Sequence, residues 1–467
     1  MRRHNRIEPY LSAQGIPYRL LPHAPTRTLI EAALSAKVDY RLMVRAVMLE
    51  DEHGMLMAVL PASHMLDFAR LCQQLGRKLH PLPQERLAGI FTDCEPGSVP
   101  PLPQPYNLPA IIDEQIPRMP RVCFEPGDHQ TLALLAGADF MRLHAQSRRL
   151  AIARPAASLA GHSEFEFVSN EPLPALQGLH PGGDLQQRIT TLSSLPPLPQ
   201  STQRLLRLRN NPRGTIAELA DIVATDPLLA AQVIRYARSA YYGYRGRVES
   251  LHDAITQVLG FDMVLHMALG LSASRALRLP ADGPLGQRAF WRHSVYTAGL
   301  AQALNTLLPP ATRGKPGLVY LAGLLHDVGF AVLGHLFQPE FYLLNKAVAT
   351  NPHIPVTLLE KRLLGVEHTQ LGGWLLEGWD MPEEVSVAAR EHHNETYGGE
   401  HTTYANLVLA ADHLLRGHQP SDAAGDKVPP AVLTALGLDL RRVTEVTDKV
   451  LEESRPGLDE MAGIMAA

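Results

Sequence analysis

Apolar and polar positions follow three successive rhythms along the chain. Up to about residue 145 the rhythm is mixed. Leu42 to Glu50 (LMVRAVMLE) and Met55 to Leu60 (MLMAVL) are apolar runs of strand length, and Asp51-Glu52-His53-Gly54 between them predicts a hairpin turn. Leu66 to Leu75 has the i, i+3, i+4 spacing of a helix, with Gly76 to stop it. Pro96, Pro100, Pro101, Pro103, Pro105, Pro109, Pro117 and Pro120 exclude a helix across the next segment and predict a rigid loop before a short strand at Val122 to Phe124. From about 145 to 184 no period persists, which predicts a linker with one short strand at Phe165 to Val168. From Leu185 onward the period is helical, with starts at Thr225-Asp226-Pro227 and Asn351-Pro352 and stops at Gly260 and Gly365. The chain therefore reads as multidomain: an α/β domain over 1–145, a linker over 146–184, an all-α domain over 185–420 and a helical extension over 421–467.

Length agrees with that division, because 467 residues exceed what one ordinary core organises. With 45% apolar and 19% charged residues the chain is not a disordered or collagen-like one. A formal charge of -4 offers no broad basic field, so neither DNA nor a membrane surface is expected as a partner. The basic opening MRRHNRIEPYLSAQG is interrupted by Glu8, Pro9 and Gln14 and lacks a signal peptide's apolar stretch, and no apolar run of bilayer-spanning length is expected. Cys72, Cys94 and Cys123 are odd in number and without metal-type pairing, which suits buried thiols in a reducing cytoplasm.

Chemistry concentrates in the helical region, where ten of the 21 histidines fall between 293 and 418. His293 lies in FWRHSVYTAGLAQAL, His326-Asp327 in GLLHDVG, His368 in GVEHTQLGG, His392-His393 in REHHNE and Asp412 in LAADHLL. Adjacent helical residues diverge by about 100°, so His326 and Asp327 can share an ion only if other helices bring the remaining ligands. Imidazole with carboxylate and no thiolate suits iron, manganese, zinc or cobalt, as one ion or two. Bound metal would activate water for phosphate-ester hydrolysis. Taken singly, each histidine reads rather as a satisfied core residue, and only the ordered set points to a metal-derived site.

The order H...HD...D, carried by His293, His326-Asp327 and Asp412, resembles the HD phosphohydrolase superfamily. Leu195-Pro196-Pro197-Leu198-Pro199, Asp226-Pro227-Leu228-Leu229-Ala230, Ala254-Ile255 with Leu259-Gly260, GLLHDVG, EHTQLGGWLLEGWDMP and REHH together resemble an HDOD domain, the HD-related output domain of bacterial signalling proteins. The resemblance implies an all-α fold and a signalling protein as partner. It implies that His368, His392 and His393 complete a dinuclear site, as in related cyclic-di-GMP phosphodiesterases. Phe330 stands where active enzymes carry a lysine, and no Gly-Tyr-Pro follows His393, which together imply little cyclic-di-GMP turnover.

The first 145 residues resemble the YbaK/ProX family of aminoacyl-tRNA deacylases, through Val44-Arg45-Ala46-Val47, Leu60-Pro61, Leu66-Asp67, Gly97-Ser98-Val99-Pro100-Pro101, Ile111-Ile112-Asp113-Glu114, and Phe124 with Gly127. That resemblance implies a pocket for aminoacyl-tRNA or a small ligand lined by Arg45, Gly97, Pro101 and Asp113, with Arg45 at the position of a substrate-contacting lysine. By alternation Arg45 faces away from Val44 and Ala46, and it is expected to look across the pocket at Gly97 to Pro101. Three functions follow as expectations: a cytoplasmic bacterial signalling protein with a degenerate editing domain, a metal-dependent phosphohydrolase, or an aminoacyl-tRNA deacylase.

Overall fold

The computed structural model describes residues 5–155, 196–416 and 427–466, apart from Arg27, Arg245, Asp282 and His353. It forms two compact units. The first takes in the described residues up to 155 together with Lys346–Ile354, and the second holds the remainder.

In the first unit, helix α1 (Ile7–Ala13) and strand β1 (Tyr18–Pro22) lead to α2 (Leu29–Ser35) and to the hairpin β2 (Val44–Asp51) and β3 (Gly54–Pro61). Then come β4 (His64–Leu66), α3 (Phe68–Leu75), β5 (His80–Pro81), α4 (Gln84–Ile90), β6 (Ala110–Asp113), β7 (Arg121–Phe124), β8 (Thr131–Ala136), α5 (Gly137–Leu143), β9 (Arg148–Leu150) and β10 (Ala153–Pro155). The main sheet runs β5-β2-β3-β6-β9, with the hairpin antiparallel and β3-β6 and β6-β9 parallel. Smaller sheets run β1-β8-β7 and β10-β4.

Both faces of the main sheet are buried, and the period of two divides its side chains cleanly. Val44, Met48, Met57 and Val59 enter one core with Phe124 and Phe140. Val47, Leu49, Leu56, Ala58 and Leu60 enter the other with Leu71 of α3. The predicted helix at 66–75 begins at Phe68, capped by Asp67, whose side chain accepts from the Arg70 N–H, and it stops at Gly76 with φ 65°. Two strands, β9 and β10, lie inside the stretch read from sequence as linker, so the ordered unit extends past 145. Short arginine-rich strands such as Arg148–Leu150 lack the alternation that reveals a strand. The strand expected at Phe165 to Val168 and the motif residue Leu195 lie outside the described residues.

The second unit is helical: α6 (Gln200–Arg209), α7 (Ile216–Ala224), α8 (Pro227–Arg238), α9 (Phe261–Ser274), α10 (Gln287–Leu307), α11 (Pro316–Leu325), α12 (Val328–Leu336), α13 (Gln338–Thr350), α14 (Val356–Leu363), α15 (His368–Gly378), α16 (Glu383–Glu391), α17 (Thr402–Arg416), α18 (Pro430–Leu436), α19 (Leu440–Glu453) and α20 (Arg455–Ala466). The last turn of α13 belongs to the first unit. Contrary to the sequence expectation, one stretch, Pro316–Leu336, is long and apolar enough to cross a membrane; it is wholly buried within the fold and serves as core.

Two glycines let backbones approach where the candidate chemistry lies. A Cβ on Gly323 would lie 2.6 Å from Ala298 Cα, so α10 and α11 touch main chain to main chain. A Cβ on Gly329 would lie 1.9 Å from the His368 carbonyl oxygen, so the start of α12 rests directly on the start of α15.

Candidate metal centre

The helical period that carries α11 breaks at His326-Asp327, which cap the end of α11 and the start of α12. The break, absent from the sequence expectation of one continuous helix, lets both side chains turn to the same side. His293 comes from the middle of α10, Asp412 from α17, His368 from the first turn of α15, and His392 and His393 from the end of α16. All seven residues read from the motif order meet in one place.

Asp327 stands at the centre. Its Oδ2 is 3.5 Å from His293 Nε2 and 3.3 Å from His326 Nε2. Its Oδ1 is 3.4 Å from both His368 Nε2 and His392 Nε2. Asp412 Oδ1 joins the first side, 3.3 Å from His293 Nε2. On that side His293, His326 and Asp412 have ligand atoms within 4.8 Å of one another, and on the other His368, His392 and His393 do. His293 Nε2 and His326 Nε2 are 3.2 Å apart, and His368 Nε2 and His392 Nε2 are 3.3 Å apart. Such spacings match the edge of a tetrahedron or octahedron around an ion with bonds of about 2.0–2.2 Å.

The opposite ring nitrogens settle the tautomers. His326 Nδ1 lies 2.7 Å from Gly323 O and His392 Nδ1 lies 3.0 Å from Ala389 O; a carbonyl only accepts, so Nδ1 donates in each. Their Nε2 lone pairs then point inward, toward neighbouring imidazoles and carboxylate oxygens. Acceptors crowded in this way need a cation or extra protons between them, and this imidazole and carboxylate donor set would suit borderline divalent cations. Burial is nearly complete: the side chains of His326, His368 and His392 expose 0% and that of His293 9%.

Two further residues shape the centre: Glu360, which the sequence reading did not single out, and Phe330, which it did. Glu360 of α14 accepts from His368 Nδ1 at 2.8 Å and from the His368 N–H at 3.0 Å. Burial pushes its carboxyl above the ordinary value, and the charge and hydrogen bonds of His368 oppose that rise. Its sequence signal is a carboxylate on the apolar i, i+3, i+4, i+7 face Val356, Leu359, Glu360, Leu363. Phe330, in place of a lysine, stacks on His368.

The residues expected around an editing pocket are not gathered into one. Arg45 is on the sheet face of Val47 and Leu49, whereas Val99 of the Gly97 to Pro101 loop packs in the core of the opposite face, with Val44 and Met48. The expectation that Arg45 looks at that loop is thus corrected: alternation turns Arg45 away from Val44, and the loop lies on Val44's side. Arg45 donates instead to Thr350 O at 2.9 Å, Asn351 Oδ1 at 2.9 Å and His64 O at 3.3 Å. Desolvation pushes its guanidinium down to about 10. Asp113 is consumed structurally, its Oδ2 accepting from the Ile152 and Ala153 N–H groups. The loop is tied at both ends by histidines: His129 Nε2 is 2.9 Å from Pro96 O, and His144 Nε2 is 2.9 Å from Pro101 O. Gly97, at φ 93°, makes the turn.

The HDOD domain family matches residues 195–395, and the aminoacyl-tRNA editing domain family matches residues 23–143. A crystal structure of a candidate signal transduction protein from Marinobacter aquaeolei VT8 is similar over 99% of both chains, at 30% identity and a TM-score of 0.78. An HDOD domain protein of unknown function from Geobacter sulfurreducens is 25% identical, with a TM-score of 0.51, over 59% of this chain and 96% of its own. Among curated proteins, an uncharacterised protein of Treponema pallidum (strain Nichols) is 23% identical over 275 residues, 56% of this chain and 50% of that one. The cyclic-di-AMP phosphodiesterase PgpH of Listeria monocytogenes serotype 1/2a (strain 10403S) is 25% identical over 175 residues, 35% of this chain and 23% of the enzyme. The chain thus spans half or less of these curated relatives. With both domain families matched in order and a relative similar from end to end, the chain belongs to a family that joins an aminoacyl-tRNA editing domain to an HDOD domain.

Proposed function

We propose that the protein is a signalling regulator whose HDOD domain holds a divalent metal pair in the His293, His326, Asp327, His368, His392, His393 and Asp412 set, and that it acts through a protein partner. The observation that carries this reading is Asp327, with one carboxylate oxygen 3.3 Å from His326 and the other 3.4 Å from His368. Regulation is favoured over turnover by the burial of His293, His326, Asp327, His368, His392 and Asp412 and by Phe330, whose ring covers His368 where a phosphate would need a cation. In the editing domain the guanidinium of Arg45 is engaged by Thr350 and Asn351, which supports a degenerate domain that does not deacylate aminoacyl-tRNA.

Iron, manganese, zinc and cobalt analysis of purified protein tests the metal reading: about two ions per chain are expected, and Asp327→Ala should lose both. A second reading, a metal-dependent phosphohydrolase, is favoured by the match to a cyclic-di-AMP phosphodiesterase. Steady hydrolysis of cyclic-di-AMP or cyclic-di-GMP by the metal-loaded protein, abolished in Asp327→Ala, would move that reading ahead of regulation.

A further inference from the structure

Arg45 is a buried cation held by neutral atoms. It is 8% exposed, and its guanidinium donates from Nη1 to Thr350 O at 2.9 Å and from Nη2 to Asn351 Oδ1 at 2.9 Å and His64 O at 3.3 Å. None of these acceptors carries charge. No carboxylate pairs with Arg45 among the described residues, and its buried Nε finds no acceptor among them either. A guanidinium taken out of water ordinarily pairs with a carboxylate or phosphate, whose two oxygens match its planar fork.

Thr350 O and Asn351 Oδ1 take the two places such an anion would fill. They lie at equal distance on Nη1 and Nη2, and Asn351 Oδ1 also accepts from the Leu66 N–H at 2.9 Å. A fork and a main-chain N–H thus converge on one pair of oxygens. The residues supplying that pair belong to Lys346–Ile354, whose further fastenings carry no ion pair among the described residues. Asn351 Nδ2 donates within the segment, to Ala347 O at 2.9 Å and Thr350 Oγ1 at 3.0 Å, and Lys346 Nζ lies 5.4 Å from the centroid of the Phe68 ring. The chain reaches the segment along α13 and leaves it through Pro355 into α14, so both ends run on into the second unit.

We propose that Lys346–Ile354 is a releasable plug: it seats two neutral oxygens on an oxyanion site formed by Arg45 and the Leu66 N–H, and an oxyanion bound by the first unit displaces Thr350 and Asn351. A charged acceptor compensates the buried cation, which the neutral pair does not, and this difference drives the exchange. Carboxylate and phosphate share the chemistry required. The plug deepens the regulatory reading above and rests on it for the use made of release, since the displaced segment is continuous with α13 and α14.

The test uses the full chain with inorganic phosphate and acetate as probes, affinity being read by calorimetry and release by hydrogen exchange at 346–354. In wild type the anion that binds should speed exchange in that segment; phosphate acting alone assigns a phosphoryl ligand, and acetate acting alone a carboxylate one. Asn351→Ala removes the plug's side-chain oxygen and should bind the anion about 10–100-fold more tightly. Arg45→Gln should lose the binding. Should either variant misfold, the wild-type exchange measurement decides alone. Binding of neither anion, binding that leaves exchange at 346–354 unchanged, or a folded Asn351→Ala that binds no more tightly than wild type would overturn the plug. Each of those outcomes leaves the metal reading standing, because metal content is counted separately.

Discussion

The rings of Phe330 and His368 are stacked, with centroids 4.2 Å apart and planes 20° from parallel. Phe330 is 1% exposed, so it acts as core packing and as a brace for the imidazole at once. Phe330→Ala should destabilise the second unit by about 3–5 kcal/mol, the usual cost of an aromatic cavity. Phe330→Leu should cost less and keep the metal content. Chemical denaturation read by α-helical signal, with metal counted in parallel, checks both; equal stability of the Ala variant would show that the site collapses freely.

Gly329 and Gly372 offer a matched pair. A Cβ at Gly329 meets the His368 carbonyl oxygen at 1.9 Å, whereas one at Gly372 meets its nearest neighbour outside its own helix, the Gly329 backbone nitrogen, at 3.3 Å. Gly329→Ala should drive α12 from α15, cost about 1–3 kcal/mol or more, and lower metal content by displacing Asp327 from His368. Gly372→Ala should do little of either, and metal analysis of the two variants side by side decides it.

Stability of the first unit should fall as pH rises above neutrality. His129 is raised to about 9, chiefly by its hydrogen bond to Glu125. A histidine whose folded value exceeds the unfolded value of about 6.5 stabilises fully below 6.5, and the gain is lost as pH rises through 9. With His129 only partly exposed, the loss should be about 2–3 kcal/mol. Urea midpoints across this window should decline in wild type and flatten in Glu125→Gln.

Asn351 should matter to a sheet nearly 300 residues earlier in the chain. Its Oδ1 accepts from Arg45 and from the Leu66 N–H, each at 2.9 Å. Asn351→Ala leaves a buried cation and a buried N–H short of a partner and should cost about 1.5–3 kcal/mol, while Asn351→Asp, which keeps the acceptor, should cost less. Hydrogen exchange at β2 and β4 locates the loss.

What the sequence disclosed depended on the range of each signal. His293, His326-Asp327, His368, His392-His393 and Asp412 were legible because their order along successive helices forms a pattern, and the structure brings them to one place. The hairpin Val44–Asp51 and Gly54–Pro61 and the stop at Gly76 were legible because turn chemistry and period are local. The break at His326-Asp327 was hidden by the apolar residues on both sides, which read as one helix. Arg45 was misread because alternation tells which residues share a face but not which loop covers that face. Its partner Asn351 is 306 residues distant, and no local pattern reaches so far.

The stretch Lys346–Ile354 belongs to the first unit although the second unit's chain has begun long before it. During synthesis, the sheet around Arg45 therefore waits for a piece made about 190 residues after the rest. At about 5–20 residues per second the delay is about 10–40 s. Through that interval the emerging Arg45 has neither Thr350 nor Asn351 to engage.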